Sequence, residues 1–417
     1  MFPIMNPNLP YLTADAPPLP GRIKVHPDDF RVEEVPLYEA SGEGTHSYAC
    51  IEKTGMSTLR AVREIARALG EPHRNIGYAG MKDANAVTRQ ILSIEHVPPE
   101  RIEKLEVPGI RVLWVRRHSN KLRLGHLRGN RFVIRLRDVD TGRLDEVRET
   151  LGILTRRGVP NYFGEQRFGV RGDTWQIGRA MMRQDWVEAV SLMLGRPSEH
   201  DRGEVLRARR LFEEGRYEDA AKAWPYPFPD ARRACLTLAR TKGSHKRAFF
   251  GVDKTVKRLY LSAFQSYLFN QVVAARIQSL DRLMTGDLAY RHANGAVFRV
   301  ADAAAEQSRA DAFEISPSGP LFGYRMTEPE GEPGEIEARL LAAEGLRPAD
   351  FRVPGAHKIK GARRPLRFQP QECELAAGRD DRGDYFELRF FLEPGCYATS
   401  VLREICKTDI ADPEERS

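Results

Sequence analysis

The chain has 417 residues, which is long for a single domain and predicts two or three domains. Hydrophobic residues make up 41% and charged residues 29% of the sequence, as in ordinary soluble globular proteins. No apolar run approaches the roughly 18 residues that a membrane-spanning helix needs, which excludes that class. The 65 Lys and Arg residues exceed the 58 Asp and Glu residues, a mild excess that alone is weak support for a nucleic-acid partner.

The N-terminal twenty residues contain six prolines and no positive charge, so they lack the basic and apolar regions of a signal peptide. They predict an extended or disordered tail. The five cysteines are odd in number and form no Cys-x-x-Cys pair, which argues against disulfides and against a zinc site. We therefore expect a protein of the reducing cytoplasm that holds no metal.

The segment from residue 22 to about residue 157 alternates strand and helix signals. Residues 57–70 predict a helix, with a serine at the start, apolar residues at helical spacing and a terminating glycine. Residues 131–137 alternate strictly and predict a strand with Phe132 on its apolar face, and residues 144–154 predict another helix. This part of the chain is α+β.

The middle of the chain is mostly helical, over residues 173–224 and again over residues 254–280. Strand signals return at residues 385–392, and residues 397–406 predict a final short helix. In the first helical stretch the predicted core residues are Trp175, Trp186, Val190, Met193 and Leu194.

Strand character at both ends with a helix-rich middle predicts one domain that is interrupted by another. The character changes near residues 158–161. After the tail of residues 1–20, we predict the first part of the interrupted domain at 21–157, the inserted domain at 158–352 and the second part at 353–417.

Three acid-free stretches concentrate positive charge at residues 111–137, 231–247 and 351–371. A single stretch of this kind is usually a solvated face. Three in a chain that is nearly balanced in charge predict basic patches on a phosphate-binding surface. The basic residues of the second and third stretches are Arg232, Arg233, Arg240, Lys242, Lys246, Arg247, Arg352, Lys358, Lys360, Arg363, Arg364 and Arg367.

The run from Gly77 to Gln90, with the sequence GYAGMKDANAVTRQ, places one carboxylate, Asp83, on a glycine-bearing turn between two apolar segments. Glycine lets the backbone and a ligand approach closely, so a carboxylate on such a turn can be directed at a substrate. Taken alone, Asp83 is more readily explained as a residue that caps a turn. The functional interpretation therefore depends on the rest of the chain.

Five segments in order resemble the motifs of the TruD family of tRNA pseudouridine synthases. Met81 and the pair Ala84-Asn85 are small departures from the family pattern. The five segments are Arg22–Glu34, Gly77–Gln90, Lys121–Phe132, Asn161–Gly169 and Pro394–Glu404.

The resemblance implies that Asp83 is the nucleophile and Lys24 its basic partner. It also implies an α+β fold: a discontinuous catalytic domain with a mixed, mainly antiparallel sheet, interrupted by a helix-rich α+β TRUD domain. The implied substrate is tRNA, at uridine 13 of the D arm, bound by a monomer without a cofactor. The implied substrate-binding residues are Phe30, Asn130, Phe132, Tyr397 and Arg167.

The chemistry fits these residue types. Converting uridine to pseudouridine changes neither redox state nor atom count, so it needs no redox cofactor. A carboxylate in a partly dry pocket stays ionised more readily beside an ammonium group, which gives Lys24 a purpose. The basic stretches would bind phosphates around a target base that has left its stack.

Each assignment has a structural alternative. In these alternatives, Phe30 and Phe132 would only fill a core and Asn130 would only serve a turn. Lys24 would be a solvated surface lysine, and Arg167 would bind a carboxylate. Two other functions stay open: an RNA-binding protein without catalysis and a metal-dependent nuclease. The second would use acidic pairs such as Asp28-Asp29 or Asp138-x-Asp140.

Overall fold

The computed structural model describes residues 9–352 and 359–407. The chain divides into two compact units, each of which is discontinuous in sequence. We call residues 13–159 and 369–417 the sheet unit, and residues 1–12 and 160–368 the helical unit.

The helices and strands are numbered in chain order. The first part of the sheet unit contains β1 (Phe30–Pro36), β2 (His46–Thr54), α1 (Thr58–Leu69), β3 (Ile76–Tyr78), β4 (Val87–Glu95), α2 (Pro99–Glu103), β5 (Ile110–His118), β6 (Leu127–Arg137) and α3 (Leu144–Arg157). The short β7 (Val159–Pro160) lies at the boundary in sequence. The helical unit continues with α4 (Thr174–Met182), α5 (Trp186–Leu194), α6 (Gly203–Glu213), α7 (Tyr217–Ala223), α8 (Pro229–Arg240), α9 (His245–Phe250), α10 (Lys254–Ala275), β8 (Leu288–Arg291), β9 (Val297–Arg299), α11 (Ala303–Asp311), β10 (Ile315–Leu321), α12 (Gly331–Ala343), β11 (Ala362–Pro365) and β12 (Arg367–Phe368). The sheet unit ends with β13 (Gln371–Asp380), β14 (Gly383–Leu392) and α13 (Ala398–Cys406).

Within the described residues, the sheet unit is built on an eight-stranded sheet with the order β13-β14-β6-β1-β4-β2-β5, and β3 pairs with β4. The neighbours β1 and β4 run parallel, whereas the other pairs are antiparallel. The predicted α+β fold with a mixed, mainly antiparallel sheet is therefore confirmed. The parallel pair has a consequence for the site, because it brings the residues around Glu34 beside those that follow Asp83 in the chain.

Helix α1 begins and ends where its sequence predicts. The Ser57 hydroxyl accepts a hydrogen bond from the Arg60 N–H, and Gly70 ends the helix in the left-handed conformation with φ 69°. The buried face of the helix, which includes Val62 and Ile65, packs in a core with apolar residues of β2 and β4. The helix thereby supports the strands on either side of the turn that carries Asp83.

The helical unit packs around α10, which contacts α4, α12 and β10. Of the predicted core residues, Val190, Met193 and Leu194 are buried in the main apolar cluster, and Trp175 and Trp186 pack against it partly buried. A second small sheet in this unit has the order β11-β10-β8-β9 within the described part of the chain. The helix-rich α+β character predicted for the middle of the chain is confirmed.

Residues 9–20 differ from the predicted disordered tail, of which residues 1–8 lie outside the described residues. Leu9, Leu12 and Leu19 are buried. Thr13 donates its backbone N–H to the Glu404 carboxylate at 3.0 Å and its hydroxyl to the Glu404 carbonyl at 2.8 Å. The prediction relied on proline content, which restricts the backbone without preventing the intervening leucines from packing.

Candidate active site

The turn that carries Asp83 connects β3 to β4, which pair antiparallel from Ile76 opposite Ile94 to Tyr78 opposite Leu92. Gly77 is required in β3, because a Cβ atom there would lie 2.4 Å from the Leu122 carbonyl oxygen. The Asp83 side chain is 40% exposed, so the carboxylate is open to solvent. The strands hold the turn from both ends while the carboxylate stays accessible.

Lys24 meets Asp83 from the segment before β1. Its Nζ lies 3.3 Å from Asp83 Oδ2, and the lysine side chain is only 5% exposed. The backbone of Lys24 has φ 53°, an uncommon value for a residue with a side chain. The buried, ion-paired position differs from that of a solvated surface lysine, and the strained backbone is of the kind found at functional sites.

Behind the turn, Lys82 forms a buried ion pair with Glu34 of β1. The Lys82 Nζ lies 2.6 Å from Glu34 Oε2, and the two side chains are 4% and 1% exposed. The other Glu34 oxygen accepts the backbone N–H of Ile91 at 3.2 Å. The backbone N–H of Lys82 is held by the Thr58 hydroxyl at 2.9 Å. Lys82, the residue next to Asp83, is thus fixed to β1 and α1, and Glu34 is in turn bound to β4.

Phe30 and Phe132 lie on the same sheet face and touch edge to face, with ring centroids 6.2 Å apart. Phe132 also contacts Phe390 of β14 at 5.5 Å, and Lys24 Nζ lies 4.9 Å from the centroid of Phe30. Phe30 is only 2% exposed and Phe132 only 9%. Both therefore fill the core as the structural alternative expects, and the lysine contact places Phe30 next to the ion pair.

We expect Phe132→Ala to lower the free energy of unfolding by about 3 kcal/mol, because it removes a buried aromatic ring. Phe132→Leu keeps most of the apolar volume but removes the flat ring, so its stability should stay closer to wild type. Thermal melting and single-turnover rates of both variants separate the two roles. A Leu variant with wild-type turnover would show that Phe132 serves the core alone.

Asn130 lies in β6 opposite Glu34 of β1 and Leu392 of β14, so it belongs to a strand rather than a turn. Its Oδ1 atom is buried and has no hydrogen-bond partner among the described residues. A buried acceptor without a partner is costly unless a ligand satisfies it. The amide is therefore suited to accept an N–H from the edge of a base.

Among the described residues, no hydrogen bond, ion pair or ring contact joins Tyr397 to this cluster. Tyr397 is 41% exposed and precedes the first turn of α13. Arg167 belongs to the helical unit, where its guanidinium donates to the hydroxyls of Ser266, at 3.1 Å, and Ser262. No carboxylate of the described residues pairs with Arg167, so its positive charge is not neutralised there.

The three basic stretches differ in the structure. In the first, Arg111 and Arg135 form ion pairs with carboxylates and Arg137 is buried between Asp29 and Asp380. The Arg137 guanidinium donates hydrogen bonds to the carboxylates of Asp380 and Asp29, and these bonds, first that with Asp380, raise the pKa of Arg137. In the same stretch, five basic residues have no carboxylate partner in the described part of the chain: Arg116, Arg117, Lys121, Arg123 and Arg128.

In the second basic stretch, on α8, α9 and the turn between them, all six basic side chains are exposed. In the third, the prediction of a surface patch is wrong for two residues. Arg363 forms a largely buried ion pair with Glu337 at 2.8 Å, and Arg367 is fully buried. Lys358 lies outside the described residues. The acidic partner of Arg363 is Glu337 of α12. A count of charges within residues 351–371 does not include Glu337.

Two features near Asp83 have no counterpart among the residues singled out from sequence: the Lys82–Glu34 ion pair and the buried Lys53. Lys53 is fully buried at the end of β2, and its Nζ donates to the Asp83 carbonyl oxygen at 3.0 Å. A sequence signal does exist for Lys53. It shares the buried strand face of Ala49 and Ile51, where a lysine is out of place.

Among the described residues, no helix combines the length and apolar character that crossing a bilayer requires. The same residues contain no group of three or more His, Cys, Asp or Glu side chains arranged to hold a metal ion.

Comparisons with known proteins agree over nearly the whole chain. The family model described as tRNA pseudouridine synthase D (TruD) matches residues 7–405. The tRNA pseudouridine synthase D of Geobacter sulfurreducens is 48% identical over 398 residues, covering 95% of this chain and 96% of that protein. The enzyme of the same description from Anaeromyxobacter dehalogenans is 38% identical over 410 residues, covering 98% and 99%. The crystal structure of a Methanosarcina mazei protein assigned as tRNA pseudouridine synthase D superposes with a TM-score of 0.86 at 27% identity, covering 98% and 99% of the two chains.

Proposed function

The chain belongs to the TruD family and is a tRNA pseudouridine synthase, and we propose that it isomerises uridine 13 in the D arm of tRNA with Asp83 as the nucleophile. We further propose that it acts as a monomer in the cytoplasm, without metal or cofactor. The domain ranges predicted from sequence remain part of this proposal, with the catalytic residues in residues 21–157 and 353–417.

The observation that carries the proposed role of Asp83 is its ion pair with Lys24. The carboxylate is 40% exposed and can meet a substrate, whereas its partner ammonium is 5% exposed and 3.3 Å away. A buried ammonium at this distance places a fixed positive charge beside the carboxylate, also when a bound base excludes water. Asp83 thus combines an accessible carboxylate with a buried basic partner.

The reaction breaks the N1–C1′ bond, turns the detached base and joins C1′ to C5. The proton at C5 is lost and N1 gains one, so the atoms balance without an oxidant or reductant. Asp83 assists the first step, either by attacking C1′ to form a covalent intermediate or by promoting loss of the base as a glycal. Lys24 stabilises the Asp83 carboxylate at each stage in which the carboxylate is not covalently bound to C1′.

The base must be held while it turns. We propose that Phe30 and Phe132 form an apolar floor and that Tyr397 supplies an exposed ring for stacking. The unpaired Asn130 acceptor would bind the uracil N3–H. Arg167, which lacks a carboxylate partner among the described residues, would bind a phosphate.

The nuclease alternative is weakened by the partners of its acidic pairs. Asp28 pairs with Arg382 at 2.9 Å, and Asp29 pairs with Arg137 at 2.6 Å. Asp138 pairs with Arg22 at 3.4 Å, and Asp140 accepts the Gly142 N–H. Carboxylates committed to such contacts are poorly placed to bind a metal ion. The non-catalytic alternative gives no reason for the Lys24–Asp83 pair.

We expect the double substitution Lys246→Gln, Arg247→Gln to weaken tRNA binding and to lower the slope of log affinity against log salt by about 1 to 2. Both side chains are exposed and lack a carboxylate partner among the described residues. Filter binding at several salt concentrations measures this slope. As a control, Arg67→Gln removes an exposed guanidinium that is already paired with Glu64. Equal slopes for all three proteins would show that Lys246 and Arg247 bind no phosphate.

Position mapping tests the proposed target. A tRNA transcript with uridine at position 13 is treated with the enzyme, modified with a carbodiimide and read by reverse transcription. We expect a single stop at position 13, and no stop in a transcript that carries cytidine there. A stop elsewhere would overturn the target position and leave the isomerase activity in place.

A further inference from the structure

Lys53 is a fully buried lysine at the end of β2. None of the described residues places a carboxylate within salt-bridge distance of its Nζ, which instead donates to two backbone carbonyl oxygens. These are Met56 O at 2.5 Å and Asp83 O at 3.0 Å. A buried ammonium without a carboxylate is costly, so its presence beside a catalytic turn calls for a function.

The two acceptors belong to different segments. Met56 precedes the first turn of α1, and Asp83 lies on the turn between β3 and β4. Lys53 therefore ties the Asp83 turn to the start of α1. Thr58, the first residue of α1, holds the backbone N–H of Lys82 at 2.9 Å. The backbone of the two successive residues Lys82 and Asp83 is therefore held at both ends. Thr58 of α1 binds the Lys82 N–H, and Lys53 of β2 binds the Asp83 carbonyl oxygen.

We infer that Lys53 is a positioning residue for the reaction, which sets the direction of the Asp83 carboxylate by holding the Asp83 carbonyl. This inference rests on the proposed role of Asp83. Lys24 binds the carboxylate and Lys53 binds the main chain of the same residue, so two ammonium groups meet Asp83 from different sides. Lys53 does not touch the substrate.

The ionisation of Lys53 adds a readout that a purely structural residue would lack. Burial lowers its pKa to about 8, against the opposing attraction of the Asp83 carboxylate, and the nearby Lys82 ammonium lowers it further. Neighbouring Glu52 lies on the opposite strand face, with Arg89 and Arg111. Below about pH 8 the ammonium holds both carbonyls by charge-assisted hydrogen bonds, and above it the neutral amine holds them more weakly.

The test compares Lys53→Met with Lys257→Met by steady-state kinetics on tRNA. Lys257 is a matched control in the helical unit: it is 6% exposed, and its Nζ donates to the Phe250 carbonyl oxygen at 3.0 Å. Burial lowers the pKa of Lys257 as well. We expect Lys53→Met to lower kcat by about 10- to 100-fold, because a small displacement of the Asp83 carboxylate from its reactive position lowers the rate steeply. KM should stay within about threefold of wild type, and Lys257→Met should match wild type.

The pH profile gives the second measurement. Wild type and Lys257→Met should both lose kcat with an apparent pKa of about 8. Lys53→Met should lack this limb, whereas any titration of the RNA affects all three proteins alike. A wild-type profile without the limb would overturn the inference even if Lys53→Met failed to fold.

An Asp83→Asn arm separates this inference from the proposed function. If Asp83→Asn turns over like wild type, the proposed nucleophile is wrong. If Asp83→Asn is inactive and Lys53→Met retains wild-type kcat, only the positioning role of Lys53 is overturned.

Discussion

Replacing Asp83 with asparagine should lower the single-turnover rate by at least about 10³-fold. Asparagine keeps the size and the hydrogen-bonding oxygen of the side chain but carries no negative charge. It can neither attack C1′ nor balance the positive charge that develops as the base departs. The ion pair with Lys24, whose Nζ lies 3.3 Å away, is also lost. Conversion of tRNA uridine to pseudouridine, quantified by nucleoside chromatography, measures this rate.

Binding of tRNA should survive the same substitution to within about tenfold, because phosphate contacts spread over basic surfaces provide most of the affinity. The exposed basic residues of α8 and α9 lie in the helical unit, whereas Asp83 lies in the sheet unit. Filter binding and thermal melting provide the controls. A variant that loses tRNA binding or melts far below wild type would identify Asp83 as a structural residue.

The second large effect concerns stability. We expect Glu34→Gln to destabilise the sheet unit by about 3 to 5 kcal/mol, because it leaves the Lys82 ammonium buried without its partner. In the native protein their atoms are 2.6 Å apart and both side chains are almost fully buried. For a unit of this size, the loss corresponds to a fall in the melting midpoint of roughly 10 °C. Differential scanning calorimetry measures the midpoint.

Two variants test this explanation. The double substitution Glu34→Gln, Lys82→Met removes both charges, so it should recover much of the stability that the single substitution loses. Glu64→Gln breaks an exposed pair with Arg67 and should shift the midpoint by no more than about 2 °C. If Glu34→Gln melts like Glu64→Gln, the buried pair does not stabilise the turn.

Much of the fold could be predicted from local sequence signals. Ser57 and Gly70 mark the ends of α1 because their caps satisfy backbone groups that the helix cannot. The alternation of residues 131–137 predicts a strand with one buried face, and Phe132 and Ile134 are buried in β6. The resemblance to a family added the order of the motifs and the proposed catalytic role of the interrupted domain.

The surroundings of Asp83 could not be predicted in the same way, because they depend on contacts between distant segments. Glu34 contacts Lys82 only because β1 and β4 are parallel neighbours in the sheet. The order of strands in a sheet cannot be predicted from the local periodicity of the sequence. Arg363 and Arg367 look like surface charges in a stretch without acids. In the structure, Arg363 forms an ion pair with Glu337 of α12, and Arg367 is buried in the interior of the helical unit.

We propose that this protein is a metal-independent uridine isomerase with Asp83 at its centre. Tritium release from tRNA labelled at C5 of uridine, measured with wild type and Asp83→Asn in the presence of EDTA, tests it most directly. We predict release by wild type alone, since joining C1′ to C5 expels the C5 proton. Equal release by both proteins would contradict the role of Asp83, and no release by wild type until a divalent metal is restored would contradict the metal-free mechanism.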